Sequence, residues 1–417
     1  MPYRAVLAAR KQFCQERDRS RRRSHKIGRP LASTNWGGLR TTAGDPPSEE
    51  PEPPPPEVGF LSLGDLPEVA SHAIPPALWN YVQGGAAEEV TLHDNRAAFR
   101  RRTLLPRALV DIQEIDPTTS ILGTPVAAPF FVCPMAYHGS IHPEGEPGTA
   151  RAASRAGILA AFSTLSTASL EEIAAAVPEG PRWFQLYLQP DFTSSQRLVQ
   201  RAERAGYSAI VLTVDLPVLA NRDRQRQGGF ALARWPPLGN GTDIQGPPRT
   251  FEPRGRVFTL RAEAATGWDV VERLREVTRL PIVIKGILSV DDARRAVEHG
   301  AQGIVVSNHG GRQLDGAPAS LDMLAAVVTE VGSSAEVYLD GGVRRGSDIV
   351  TALALGARAV GLGRPFLWGL GVAGTEGVAR VISLLKVDLA TTMALTGCRQ
   401  VSAIDASVLG PWRGRPE

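Results

Sequence analysis

The sequence predicts an α/β protein: a (β/α)8 TIM barrel with short N-terminal helices and a disordered N-terminal extension. Three observations carry that prediction. Eight short apolar or β-branched runs alternate with helical segments between Phe130 and Gly363, the pattern of parallel strands joined by crossovers. Polar and charged residues collect at the C-terminal end of nearly every run. The last two runs each close in a Gly-rich turn followed by an arginine.

Residues 1–57 differ from the rest of the 417-residue chain. Residues 1–29 hold ten Lys/Arg against two Asp/Glu, and Asp45 to Glu57 carries seven prolines and five acids. Such a segment buries too little apolar surface to offset the entropy of ordering it, so disorder is expected. Glu16, Asp18 and the acidic continuation argue against a transit peptide. The barrel domain is assigned to residues 58–417.

Within it, Leu63–Ala73, Pro76–Gln83 and Glu88–Arg101 read as short helices from their apolar spacing. The candidate strands are Phe130–Ala136, Ile158–Thr164, Trp183–Leu188, Ala209–Asp215, Pro281–Gly286, Gly303–His309, Val337–Gly341 and Ala359–Gly363. Helices are expected over Thr149–Ala156, Leu170–Val177, Ser194–Ala205, Trp268–Val277, Val290–His299, Ser320–Val331 and Ser347–Leu355. A doubly wound open sheet competes, but it would carry a Gly-rich turn after its first strand, and Pro134-Met135-Ala136 is not one. The connection Leu216 to Gly267 is long and rich in Pro, Gly and Arg, which marks a lid or binding loop.

Hydrophobic residues make up 43% and charged residues 21%, ordinary for a soluble globular protein. No apolar run is long enough to span a bilayer. The net charge of +3 conceals an asymmetry, because residues beyond 29 hold 36 Lys/Arg against 41 Asp/Glu. A mildly acidic body makes nucleic acid an unexpected partner. Cys14, Cys133 and Cys398 form neither a disulfide framework nor a metal-ligand spacing. A reducing compartment follows, and a cytoplasmic location is expected.

The stretch Ser307-Asn308-His309-Gly310-Gly311-Arg312-Gln313-Leu314-Asp315 leaves the strand Gly303-Ile304-Val305-Val306. A proton acceptor beside a planar cation suits an anionic substrate that must lose protons. Other strand ends supply Gln185 and Tyr187, then Thr213 and Asp215 with Arg222 shortly after, then Lys285. Asp340-Gly341-Gly342-Val343-Arg344 and Gly361-Leu362-Gly363-Arg364 place bare backbone N–H groups and two arginines where barrels hold phosphate. Lys285 is open to two roles, a Schiff base or a cation stabilising negative charge on a cofactor. His138 and His142 lack a third ligand nearby, so no metal is expected. His299 reads as a helix cap, His93-Asp94-Asn95-Arg96 as helix-surface pairing, and Trp79 and Trp183 as core.

From about Leu61 to Pro411 the chain resembles the FMN-dependent α-hydroxy acid oxidases and dehydrogenases, the family of glycolate, lactate and hydroxymandelate oxidases. The resemblance rests on Ser307–Asp315, His142-Pro143-Glu144-Gly145-Glu146, Phe184-Gln185-Leu186-Tyr187, Leu212-Thr213-Val214-Asp215, Ile284-Lys285-Gly286, Asp340–Gly346 and Gly363-Arg364-Pro365. It implies that FMN lies across the barrel mouth, lined by Pro134, Met135 and Ala136. Ser163, Gln185 and Thr213 would bond the flavin ring, and Lys285 would face its anionic edge. Ser307 would reach the ribityl chain, with Asp340, Gly341, Gly342, Arg344, Gly363 and Arg364 on ribityl and phosphate. Arg222, Arg312 and Tyr81 would grip the substrate carboxylate. Tyr187 would bond the 2-hydroxyl side, His309 would be the base and Asp215 its partner.

The resemblance further implies oxidation of a 2-hydroxy acid to the 2-keto acid. The chain has Leu165 where glycolate oxidase-like members carry a tryptophan, and Val82 and Gly84 beside Tyr81. This smaller wall favours an aliphatic or aryl substrate over glycolate. Without a cytochrome-like domain or a membrane-binding stretch, O2 is the expected acceptor, giving H2O2. The competing readings are a family dehydrogenase using a quinone or protein acceptor, a non-redox FMN barrel enzyme, and a flavin-binding regulator. A homo-oligomer is expected, tetrameric by resemblance.

Deleting residues 1–57 should leave flavin content and melting temperature unchanged; loss of folding on that truncation would contradict the disorder expected of the head.

Overall fold

The computed structural model describes residues 59–228, 237–244 and 267–411, with the backbone of 251–254 and 257–260. The disorder expected for residues 1–57 lies outside the described residues. Helices α1 (Leu66–Ala73), α2 (Pro76–Gln83) and α3 (Val90–Arg101) come first, and the first two carry proline in their opening turn. An antiparallel pair follows, β1 (Thr119–Ile121) and β2 (Thr124–Val126).

Parallel strands then alternate with helices: β3 (Phe130–Val132), α4 (His138–Ile141), α5 (Gly145–Arg155), β4 (Ala160–Ser163), α6 (Leu170–Ala176), β5 (Arg182–Leu186), α7 (Phe192–Arg204) and β6 (Ile210–Thr213). The long connection holds α8 (Asp223–Gln227) and a separate antiparallel pair, β7 (Phe251–Arg254) and β8 (Val257–Leu260). The series resumes with α9 (Asp269–Val277), β9 (Ile282–Ile287), α10 (Val290–Glu298), β10 (Gly303–Val306), α11 (Ser320–Val331), β11 (Glu336–Asp340), α12 (Gly346–Ala354), β12 (Ala359–Leu362) and α13 (Arg364–Leu395). β12 pairs with β3, closing an eight-stranded parallel barrel.

The two-residue period of a strand decides what the barrel presents at each depth. Outward positions such as Phe130, Phe162, Phe184, Leu212 and Ile284 join the helices in one apolar core. Inward positions Phe131, Ala161, Trp183, Val211, Val283, Val305 and Tyr338 form a second core inside the barrel. Phe131, Trp183 and Tyr338 pack there with ring centroids 5.6–6.0 Å apart. Ile121 and Val126 of the β1–β2 pair join this inner core. One inward step further along each strand the apolar layer gives way to Cys133, Ser163, Gln185, Thr213, Lys285, Ser307 and Asp340. This polar layer is the floor of the mouth.

Each expected strand is present; most stop short of the expected C-terminal end, whereas β9 runs on to Ile287, and β5 and β11 begin one residue earlier, at Arg182 and Glu336. Helix α13 is an addition to the expected elements. It is buried along most of its length and contains Gly369, Gly371, Gly374 and Gly377. The helix breaks at Ala373 and Gly374, whose backbone is not helical; before the break it is buried almost throughout, and beyond it Val378, Val381, Ile382, Leu385, Leu389 and Met393 mark one buried face. The described part of the long connection is anchored to the barrel. Its Asn240 side chain accepts from Leu170 N at 3.0 Å and donates to the Thr164 carbonyl at 2.9 Å.

Candidate active site

His309 follows β10 with φ +60°, and Gly310 and Gly311 continue the left-handed turn. A positive φ on a histidine persists only where the surroundings fix it. Its amide donates to Ser307 Oγ at 3.0 Å, and its Nδ1 lies 2.8 Å from Asp215 Oδ1. Asp215 can approach because Gly286 has φ +106° and a Cβ there would sit 2.6 Å from the Asp215 side chain. Burial drives the Asp215 pKa up, but His309 and Lys285 outweigh it and hold the carboxylate below its ordinary value. The His309 pKa is lowered, first by burial and only partly restored by Asp215. The imidazole is therefore neutral near pH 7. Nδ1–H donates to the ionised Asp215, which leaves Nε2 as the proton acceptor.

Lys285 is buried on β9, with Nζ 3.1 Å from Asp340 Oδ2 and donating to Ser307 Oγ at 2.9 Å. Burial disfavours its charge, yet Asp340 and Asp215 hold its pKa above the ordinary value. A permanently charged ammonium is a poor nucleophile, so the geometry favours the electrostatic role over the Schiff base.

The arginines gather across the mouth. Arg222 Nε donates to the Arg312 carbonyl at 3.2 Å, and its Nη2 to Gln313 Oε1 at 3.3 Å. Burial and then Arg312 push the Arg222 pKa down to about 10. Arg312 lies 4.8 Å over the Tyr81 ring, and its Nη1 donates to the carbonyls of Tyr81 and Gly84, each at 2.7 Å. Arg344 is pushed down to about 9 by burial and by Arg96. Arg364 lies well below its ordinary value, through burial and then Arg312 and Arg344. It also braces the mouth, donating to the carbonyls of Val82 (2.9 Å), Gly310 (3.1 Å) and Gly84 (3.2 Å). Gly341, Gly342 and Gly363 sit beside these groups in the turns after β11 and β12.

Tyr187 is surrounded by protein, and burial followed by Asp215 raises its pKa, so the phenol stays protonated. Tyr81 and Tyr137 meet edge to face with centroids 6.0 Å apart. Tyr137 N donates to the Leu165 carbonyl at 3.3 Å, which places Leu165 beside that pair.

Sequence reasoning missed Asn95. Far from surface pairing, it is 2% exposed and exchanges two 2.8 Å hydrogen bonds with Asn308, the residue before His309. Arg96 donates to the Gly342 carbonyl at 3.0 Å, so it too faces inward. The signal was present: Thr91, Asn95, Ala98 and Phe99 share one buried helical face. Of that group, Asp94 does pair at the surface, with Arg101. Trp183 is core as expected, and Trp79 packs against Trp368.

Residues 70–411 match the family described as FMN-dependent dehydrogenase. L-lactate oxidase of Nostoc sp. is 49% identical over 356 residues, spanning 84% of this chain and 98% of that protein. 4-Hydroxymandelate oxidase of Amycolatopsis orientalis is 44% identical over 346 residues, spanning 82% and 96%. The crystal structure of mandelate oxidase with (S)-2-phenylpropionate superposes with a TM-score of 0.76 at 44% identity, covering 84% of this chain and 98% of that one. The chain belongs to the FMN-dependent dehydrogenase family, whose cofactor is FMN.

The residues present fit that cofactor. Gln185 Nε2, Thr213 Oγ1 and Asp340 Oδ1 are buried without a hydrogen-bond partner. Such orphans are costly, and a ligand rich in carbonyl, ring-nitrogen and hydroxyl groups satisfies them. Ser163 stands beside these groups. Its hydroxyl donates to Gln185 Oε1 at 2.9 Å, which turns the amide so that Nε2 is the free end.

Because burial lowers the His309 pKa while Asp215 raises it, the neutral base survives as pH falls through 6.5. The acid limb of the kcat/KM profile should therefore lie below that value. Asp215→Asn should shift it further toward acid and slow flavin reduction by about 10²–10⁴-fold; stopped-flow spectroscopy showing less than about a fivefold loss would contradict the pairing.

Proposed function

We propose that this protein oxidises an aliphatic or aryl 2-hydroxy acid to the 2-keto acid, passing the electrons to O2 and releasing H2O2. The observation that carries this reading is the His309–Asp215 pair, with Arg222 and Arg312 joined to each other in the field of that pair. Arg222 and Arg312, with Tyr81, bind the substrate carboxylate and orient the 2-carbon. Tyr187 donates to the hydroxyl side. His309 Nε2 accepts one proton from the substrate, and Asp215 stabilises the imidazolium as it forms. FMN supplies the two-electron acceptor, which the protein positions and charges. Lys285, held charged by Asp340 and Asp215, would supply a fixed positive charge beside it.

For the cofactor, Gln185 and Thr213 would bond the ring, with Pro134, Met135 and Ala136 lining it. Ser307 and Asp340 would take the ribityl hydroxyls. Gly341, Gly342, Arg344, Gly363 and Arg364 would receive the phosphate.

Tyr81, Tyr137 and Leu165 form an apolar wall that suits an aryl or branched side chain better than the bare methylene of glycolate. The names lactate oxidase and hydroxymandelate oxidase among the relatives lend support to both substrate types. Cys133 and Cys398 are buried free thiols, which fits a reducing, cytoplasmic setting. Among the described residues no helix is long and apolar enough to cross a membrane. Exposed Leu105, Leu109, Val110, Ile112 and Leu395 offer apolar surface for a homo-oligomer, tetrameric by resemblance.

Anaerobic mixing with mandelate, lactate, 2-hydroxyisocaproate and glycolate should bleach the flavin, fastest with the larger side chains. His309→Ala should abolish bleaching while FMN stays bound. Near-normal reduction in that variant would remove His309 from the role of base.

A further inference from the structure

Arg222 reaches the mouth from the N-terminal edge of α8, a five-residue helix with no buried residue. The guanidinium's two hydrogen bonds among the described residues are long, 3.2 and 3.3 Å. Contacts from the segment between α2 and α3 hold this helix against the barrel. Ala87 N donates to the Asn221 carbonyl at 2.8 Å. Glu89 Oε1 accepts from Gly85 N at 2.8 Å, and Glu89 Oε2 accepts from Arg224 Nη2. Gly228, just past α8, lies so close to Asn80 that a Cβ would come within 2.7 Å of its amide nitrogen.

Glu89 is an unusual residue to find here. It is 7% exposed and has φ +65° at the start of α3. A strained backbone and a nearly buried carboxylate are both costly, and an ion pair to the half-exposed Arg224 returns little stability. Such a group persists for geometry rather than for energy. It also stands in the field of Arg364.

We propose that Glu89 and Arg224 are positioning residues for Arg222. They form a clasp between the head helices and the β6–α9 connection that sets affinity for the substrate carboxylate. The inference rests on Arg222 binding that carboxylate. The sign of the effect separates position from charge. As a bare negative charge near the arginines, Glu89 would oppose an anion, and its removal would tighten binding. As a clasp, its removal lets Arg222 drift, and binding weakens.

The test uses the FMN-loaded full chain with Arg224→Ala, Glu89→Gln, the double variant and Arg224→Lys. Benzoylformate affinity is read from perturbation of the flavin spectrum, alongside KM, kcat and FMN content. Each single variant should weaken benzoylformate about tenfold, equivalent to about 1.4 kcal/mol. KM should rise in parallel, while kcat stays within about twofold and FMN content is unchanged. The double variant should be no worse than either single, because the two residues act as one unit. Arg224→Lys should recover most of the affinity. An unchanged affinity in Arg224→Ala, tighter binding in Glu89→Gln, or additive losses in the double variant would each overturn the clasp. Failure of the unaltered protein to bind benzoylformate or pyruvate would instead remove the reading of Arg222, and the clasp with it.

Discussion

Concentrated positive charge governs the mouth of this barrel. Arg96, Arg222, Arg312, Arg344 and Arg364 lie near enough that neighbours among them depress the pKa values of Arg222, Arg344 and Arg364. Two like charges 4 Å apart cost about 4 kcal/mol at an effective dielectric of 20. Glu89 and Asp348 offset only part of this. The folded chain therefore carries a standing demand for anions. In the function proposed above, a phosphate beside Arg344 and Arg364 and a carboxylate beside Arg222 and Arg312 would meet that demand.

The His309–Asp215 pair is set mainly by burial and by its two members' mutual contact, with Lys285 acting on both. Asp215 remains ionised although nearly buried, because His309 and Lys285 face it. His309 remains neutral because burial outweighs its partner. Ser307 Oγ accepts from both Lys285 Nζ and His309 N, so the ammonium and the imidazole share one anchor. A base in its neutral form beside a permanently charged lysine is the arrangement that proton removal with transfer of negative charge requires.

Much of this was legible in the chain. Period-two alternation on a parallel strand puts every second residue inside the barrel, so Lys285, Ser307 and Asp340 were readable as neighbours once the strands were aligned. The Gly-Arg turns after Asp340 and Gly361 could be read as lying side by side on adjacent strands, as β11 and β12 do. What stayed hidden depends on contacts distant in sequence. Asn95 and Asn308 pair across 213 positions, and Glu89 meets Arg224 across 135. No local pattern encodes such a meeting. Helix α13 was missed although Val378, Val381, Ile382, Leu385, Leu389 and Met393 mark a buried face at helical spacing, and the hydrogen bond from Ser163 to Gln185 is visible only in the folded chain.

The claim that the arginines demand a phosphate is tested most directly by binding. Flavin-free protein would be titrated with FMN and with riboflavin, which shares the ring and ribityl chain but lacks the phosphate, following quenching of flavin fluorescence. The account predicts that FMN binds at least about a hundredfold more tightly, and that added salt narrows the gap. Equal affinity for the two flavins would contradict it.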